Sequence, residues 1–429
     1  MRRRVAYPAI AALCVLPRLV VLLHERSAIT ASFTEKSDTF AQTFVQSGTF
    51  GFIPGEPSAY TQPLYGWFLI PVYWIFGRSW LSIGLAQILL AVVSAVLVYE
   101  IGRRILGPRA GVVAAAVATL NPYLIWHDVH VNREIVDQVC AGALVLLTLA
   151  VVERPSRRLA ALLGVVTGLA MLGNTRLAFI PVLCAAYLVW RLPRARSTAV
   201  IAALVLVGAG VAVAPWLVRN RVSVGCFALT TDGRALWKAN NPGTFGLLSH
   251  GKWIDDLARP ILRQPGNYYF PEDAWTYYEK GRKDLAYPFY PNECSQMSFF
   301  EQHAFSYVEH HPADKAKLAA LSVKLLWQPS VFETSGRPGS GTSLDAGRRI
   351  AEPAYMIVLY VLALAGLFVA PRAFVALALL LLAYQTACAA AFVGATRYRV
   401  AWDFLLALLA AAALTRGAEV LRARRRRLA

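Results

Sequence analysis

The chain of 429 residues is 57% hydrophobic and only 16% charged, which excludes an ordinary water-soluble enzyme of this length. Its Lys and Arg outnumber Asp and Glu 43 to 25, a formal net charge of +18. The arginines cluster at the ends of apolar runs rather than over one soluble face, so the charge reads as a topology signal and not as a nucleic-acid surface.

Arg2, Arg3 and Arg4 place the N-terminus on the cytoplasmic side, and Val5 to Leu23 is long enough to stay as an anchor rather than a cleaved leader. A polar stretch from Phe33 to Tyr65 follows. It carries Glu35 and Asp38, a helical run up to Gln46, and Gly48 to stop it. Acids beside a bilayer are costly and mark candidate functional sites; the plainer reading of Asp38 is a helix cap. Leu64 to Phe76 is apolar, short and rich in Trp and Tyr, which suits an interfacial helix. Leu81 to Ile101 crosses back inward to Arg103, Arg104 and Arg109. Ala110 to Ile125 goes out to the link WHDVHVNRE, and Ile135 to Val152 returns to Arg154, Arg157 and Arg158. Leu159 to Leu172 goes out to GNTR, Leu177 to Trp190 comes in to Arg191, Arg194 and Arg196, and Ala199 to Val218 goes out again.

The polar segment 219–351 is long enough for a small extracytoplasmic domain. Asp273 to Lys280 and Ser298 to Lys324 read as helices, the second interrupted at Pro312, and Thr334 to Ser343 as a Gly/Ser/Pro loop. Tyr355 to Val369 goes in, Phe374 to Val393 goes out to GATRYR, and Val400 to Leu414 comes in to a basic tail. The expectation is an α-helical integral membrane protein with about ten spans and both termini inside. Its parts are a transmembrane module over 1–218 with a first external loop at 24–80, the domain at 219–351, and C-terminal helices with a basic tail over 352–429. Cys14, Cys140, Cys184 and Cys388 lie in apolar spans and read as inert packing residues. Cys226 and Cys294 share the external polar segment, where pairing is permitted.

The outer links hold Glu35, Asp38, His127, Asp128, His130, Asn132, Arg133, Glu134, Asp137, Arg176, Arg219, Arg397 and Arg399. On a continuous helix His130 and Glu134 share a face, as do Arg133 and Asp137. Carboxylates and arginines at one membrane surface suit a reaction with a phosphate leaving group, because a guanidinium matches phosphate with a forked pair of donors. Outside the cytoplasm there is no supply of nucleotide sugar. An activated sugar there is tethered to a lipid phosphate, which leaves without a general acid, while the acceptor hydroxyl needs a base. Each arginine also has a plainer reading as a lipid-headgroup contact. His127 and His130 are metal candidates without a full ligand set.

On these residues the chain resembles the GT-C superfamily of membrane glycosyltransferases, in the ArnT-like and protein O-mannosyltransferase-like branch. The likeness covers nearly the whole chain. It is carried by Asp38 through TFAQTFVQSGTFGF to PSAYTQPLYGWFL, by NPYLIWHDVHVNREIVDQ and by GLAMLGNTR. It continues in PWLVRNRVSVGCFALTTDGRALWKANNP, HPADKAKLAALSVKLLWQP and ATRYRVAWDFLLALLAA. The resemblance implies a GT-C bundle that moves a sugar from a polyprenyl-phosphate donor to an extracytoplasmic glycan, lipid or protein, with inversion. It implies Asp38 as the base and Glu134 as the second carboxylate. Glu35, Tyr65, Arg133, Arg176, Arg219, Asn240, Arg397, Tyr398 and Arg399 are then substrate-binding candidates. Two departures stand out. Relatives often carry an adjacent acidic pair, whereas Glu35 lies three residues before Asp38; and Thr61-Gln62 precedes Pro63 where relatives often have Arg-Pro. The competing class is a polysaccharide or lipid transporter, which predicts charges along the spans; a binding scaffold leaves the clustered acids unexplained.

Overall fold

A computed structural model describes residues 3–31, 35–193, 196–254, 257, 293–332 and 343–428. The expected helix at Asp273 to Lys280 and residues 334–342 of the Gly/Ser/Pro loop lie outside the described residues. Those described form nineteen α-helices, one 3-10 turn and no strand beyond an isolated bridge between Ile53 and Glu56.

The N-terminal half runs α1 (Arg3–Glu25), α2 (Ala28–Ala31), α3 (Lys36–Ser47), α4 (Pro63–Phe76), α5 (Trp80–Leu106), α6 (Pro108–Thr119), α7 (Pro122–His127), α8 (Glu134–Glu153), α9 (Arg157–Gly173), α10 (Ile180–Arg191) and α11 (Arg196–Ser223). The C-terminal half runs α12 (Gly233–Ala239), α13 (Pro242–Ser249), α14 (Glu293–His310), α15 (Pro312–Trp327), α16 (Ser343–Gly366), α17 (Arg372–Ala391), α18 (Thr396–Val400) and α19 (Asp403–Leu428).

Seven helices, α1, α5, α8, α11, α16, α17 and α19, are long and apolar enough to cross a membrane. The other three expected spans are helical but shorter. The one starting at Ala110 is split into α6 and α7 at Asn121-Pro122, where the Asn121 side chain accepts from the Tyr123 N–H and opens a new helix. α9 packs along α11 with backbones nearly touching. A Cβ at Gly164 would collide with the Val205 carbonyl, and one at Gly208 would lie 2.7 Å from that of Ala161. α19 is the central column, with every residue from Trp402 to Ala412 buried, so its Leu and Ala face helices all round.

One buried ion pair crosses this core. Arg18 on α1 donates through Nε and Nη2 to Asp128 Oδ2 at 3.0 and 2.7 Å, and Gln138 Nε2 binds the other oxygen at 2.9 Å. Gln87 on α5 donates to the carbonyls of Asp128 and His130 and accepts from the Tyr65 hydroxyl. Arg18, within the first apolar helix, thus fixes the α7–α8 link.

At the site end, Gly48 at φ +73° ends α3. The first loop is then held from the C-terminal side. Glu293 accepts from the Ala59 N–H at 3.0 Å and the Thr231 hydroxyl at 2.8 Å, and the adjacent Cys294 is bonded to Cys226. Cys14, Cys140, Cys184 and Cys388 are free and buried. Pro312 breaks the Ser298 to Lys324 region into α14 and α15.

Replacing Arg18 by Leu strands a buried carboxylate and is expected to cost about 3–5 kcal/mol of stability, with Asp128→Leu added restoring much of it. Thermal unfolding in detergent measures both; equal losses in the single and double variants would contradict the pairing.

Candidate functional site

The first loop, the α7–α8 link, the turn after α9 and the turn before α18 meet at one end of the bundle. Glu35 precedes α3 and Glu134 opens α8. Arg397 on α18 bridges them: its Nη2 lies 3.0 Å from Glu35 Oε1 and its Nε 2.8 Å from Glu134 Oε1. Glu134 is 2% exposed, and neither of its oxygens receives a hydrogen bond among the described residues beyond that ion pair. Burial works against the Arg397 charge, and the carboxylates of Glu134 and Glu35 outweigh it, so the guanidinium stays charged. Arg133, next to Glu134, is held charged in the same way against its own burial.

Arg133 Nη1 also donates to Gln62 Oε1, and Gln62 Nε2 reaches the Thr175 hydroxyl at 3.3 Å. Gln62 thus ties the first loop to Arg133 and to the turn after α9. That turn (Thr175–Leu177) follows Asn174, whose Nδ2 binds Asp137 Oδ2 at 2.9 Å. It presents Arg176, which donates to the Val393 carbonyl at 2.9 Å and lies 3.5 Å over the Tyr398 ring.

Asp38 belongs to a neighbouring cluster one turn further along α3. Its carboxylate accepts from Tyr73 Oη at 2.6 Å, Arg78 Nε at 3.0 Å and Arg78 Nη2 at 2.7 Å, with Gln42 Nε2 at 3.3 Å. Asp38 is not the cap: Glu35 occupies that position, without a side-chain cap bond. Arg78 was absent from the sequence reading, although it is the one charge between α4 and α5. The bond to Asp38 keeps its pKa raised, with burial opposing.

Other expected residues have more local work. Arg219 spends its donors on the carbonyls of Ser58 and Phe50 and on Asn220 Oδ1, at 2.8 to 3.0 Å, and so holds the first loop down. Arg399 is buried against Asp403 at 3.0 Å and the Leu326 carbonyl at 2.7 Å, not at lipid headgroups. Tyr65 is tied to Gln87. Asn240 donates to the carbonyls of Leu236 and Ala391, and its Oδ1 is buried without a donor among the described residues.

The expected shared helical face of His130 and Glu134 needs correction. α8 begins only at Glu134, because Asn132 Nδ2 donates to the carbonyls of His127 and His130 and folds the link into a turn. His130 Nδ1 lies 2.8 Å from the Trp126 carbonyl, so that nitrogen carries the proton. Its Nε2 lies 3.8 Å from Glu25. Burial, reinforced by Arg397, pulls the pKa of His127 well down and keeps it neutral. Among the described residues no group of three His, Cys, Asp or Glu side chains could hold a metal ion.

Residues 57–218 match the family of dolichyl-phosphate-mannose-protein mannosyltransferases. No curated protein matches by sequence. The apo oligosaccharyltransferase of Archaeoglobus fulgidus aligns at a TM-score of 0.51 and 12% identity, over 98% of this chain and 51% of that one. The same enzyme tethered to an acceptor peptide with the NVT sequon aligns at 0.50 and 12%, over 96% and 50%. ArnT from Cupriavidus metallidurans bound to undecaprenyl phosphate aligns at 0.40 and 15%, over 96% and 78%. The fold is similar to that of the archaeal oligosaccharyltransferase, and the segment 57–218 is similar to the mannosyltransferase family. The chain spans about half the length of the archaeal enzyme.

Arg397→Lys keeps the charge but loses the fork that serves two carboxylates. It is expected to lower stability by about 1.5–3 kcal/mol, read by thermal unfolding in nanodiscs; a Lys variant as stable as the parent would contradict the bridging role.

Proposed function

We propose that the protein transfers a sugar from a polyprenyl-phosphate donor to an acceptor outside the cytoplasm, a glycan, lipid or protein, with inversion at the anomeric carbon. The observation that carries the reading is the Glu35–Arg397–Glu134 bridge, which joins the acidic first loop to the α7–α8 link. The mannosyltransferase match over 57–218 supports a lipid-phosphate sugar as donor. The Cys226–Cys294 bond supports an oxidising, extracytoplasmic setting for the segment against which the first loop rests.

In this reading the acceptor hydroxyl gives its proton to Asp38, and its oxygen attacks the anomeric carbon. The bond from that carbon to the phosphate oxygen breaks on the opposite face, and its electron pair stays on the polyprenyl phosphate. Arg78 and Tyr73 hold the Asp38 carboxylate in place, Glu134 orients the acceptor, and Arg176 and Arg397 meet the phosphate charge as it develops. Arg219 acts by holding the loop.

One observation favours a second assignment of the base: Asp38 already accepts from a guanidinium and a phenol, whereas Glu134 has no hydrogen-bond donor among the described residues beyond its ion partner. Asp38→Asn is expected to cut release of polyprenyl phosphate from a lipid-linked sugar by about 10²–10⁴-fold, with normal membrane insertion and a smaller loss for Glu134→Gln. The reverse order would move the base to Glu134, and full turnover in both variants would refute the site.

A further inference from the structure

Three consecutive apolar residues at the end of α4, Trp74, Ile75 and Phe76, stand out of the bundle, with Trp74 80% and Phe76 71% exposed. An exposed apolar cluster of this kind marks a contact surface, and its level in the fold says what it touches. Arg103 and Arg104 in the last turn of α5 mark one surface of the bilayer. A hydrocarbon core of about 30 Å takes about 20 helical residues, which puts the other surface near Ile83. The Ser82 hydroxyl donates to the Gly77 carbonyl at 2.8 Å, so the residue that closes α4 sits at that surface. Trp74 to Phe76 form the turn before it and so lie in the headgroup layer, where amphipathic segments place Trp and Phe. The exposed stripe of α5, Leu81, Leu85 and Leu89, starts at the same place and continues into the hydrocarbon.

The other side of the same turn faces the first loop. Tyr73 is 5% exposed and donates to Asp38 Oδ1 at 2.6 Å. Arg78, directly after Gly77, donates to Asp38 Oδ1 at 3.0 Å and Oδ2 at 2.7 Å, and its Nη2 also reaches the Thr30 carbonyl at 3.2 Å. The groups that grip Asp38 therefore flank the exposed cluster on one short piece of chain. That piece is weakly braced by its own helix. Pro71 has no N–H to give to the preceding turn, and Gly77 at φ +72° ends the helix. The turn between them takes much of its support from outside α4.

We propose that Trp74, Ile75 and Phe76 anchor the last turn of α4 in the headgroup layer of the bilayer, and that this lipid contact holds Tyr73 and Arg78 on Asp38. The lipid surface is then a working partner of the site: it fixes the turn, the turn fixes the phenol and the guanidinium, and these fix the carboxylate. Trp74, Ile75 and Phe76 are positioning residues, acting on Asp38 through their neighbours. The anchor and its coupling rest on the geometry; only the use of Asp38 as a base rests on the glycosyltransferase reading.

The test uses the full chain in nanodiscs of phosphatidylcholine brominated either near the headgroup or near the end of the acyl chain. The fluorescence lost in Trp74→Phe isolates the Trp74 signal. Shallow bromines are expected to quench it, and deep bromines or aqueous acrylamide to leave it nearly unchanged; quenching by acrylamide alone would overturn the anchor. A second copy of the chain seated on the patch would leave the signal insensitive to every quencher, which also overturns it. Coupling is read without catalysis. Trp74→Ser, Ile75→Ser and Phe76→Ser together are expected to speed amide hydrogen exchange in α3 about tenfold, and to lower kcat for release of polyprenyl phosphate about tenfold with KM unchanged. Leu at the same three positions is expected to restore both; should the triple Ser variant fail to insert, Trp74→Ser alone gives the same readouts. Parental exchange in α3 of the Ser variant, or a Leu variant as impaired as the Ser one, would overturn the coupling. Quenching and coupled exchange as expected, in a parent that releases no polyprenyl phosphate, would sink the enzymatic reading and leave the anchor standing.

Discussion

A single guanidinium, that of Arg397, serves two carboxylates that come from distant parts of the chain. Taking three charges out of water costs several kcal/mol per ion, and that cost is recovered only if the ion partners meet with good geometry. Arg397 therefore constrains three segments at once: the residue before α3, the first residue of α8 and the short helix α18. Much of the polar structure around the site serves to bring those segments to the same point.

Two layers of contacts do this. Beneath the site, inside the bundle, the Arg18–Asp128 pair and Gln87 fix the link between α7 and α8, and Asn132 folds it so that Glu134 opens the next helix. Above it, Arg219, Glu293 and the Cys226–Cys294 bond hold the first loop against the segment that follows α11. The clustered carboxylates and arginines are thus fixed between the apolar bundle and the segment that follows α11.

Much of this was legible in the sequence because it depends on periodicity and on rare residues. Apolar windows located the seven long apolar helices, Gly48 and Pro312 ended helices where expected, and Cys226 and Cys294 of the polar segment are bonded to each other. Glu35, Glu134 and Arg397 were candidates because charges are scarce beside a bilayer. What the sequence did not carry was the destination of each side chain. Arg219 and Arg399 have the same chemistry as Arg397, but their donors reach backbone carbonyls or a local aspartate, a matter of tertiary placement. Arg78 was not among the candidates, and only the fold puts Asp38 beside it. His130 lost its helical register with Glu134 to one asparagine side chain, a local hydrogen bond that periodicity cannot see.

The central claim is that the acid of the first loop and the acid of the α7–α8 link are coupled through one shared cation. A double-mutant cycle between Glu35→Gln and Glu134→Gln, read as unfolding free energy in nanodiscs, measures that coupling directly. The account predicts effects that depart from additivity by more than about 0.5 kcal/mol, with the coupling abolished when Arg397 is also replaced by Gln. Additive effects, or a coupling that survives the loss of Arg397, would contradict it.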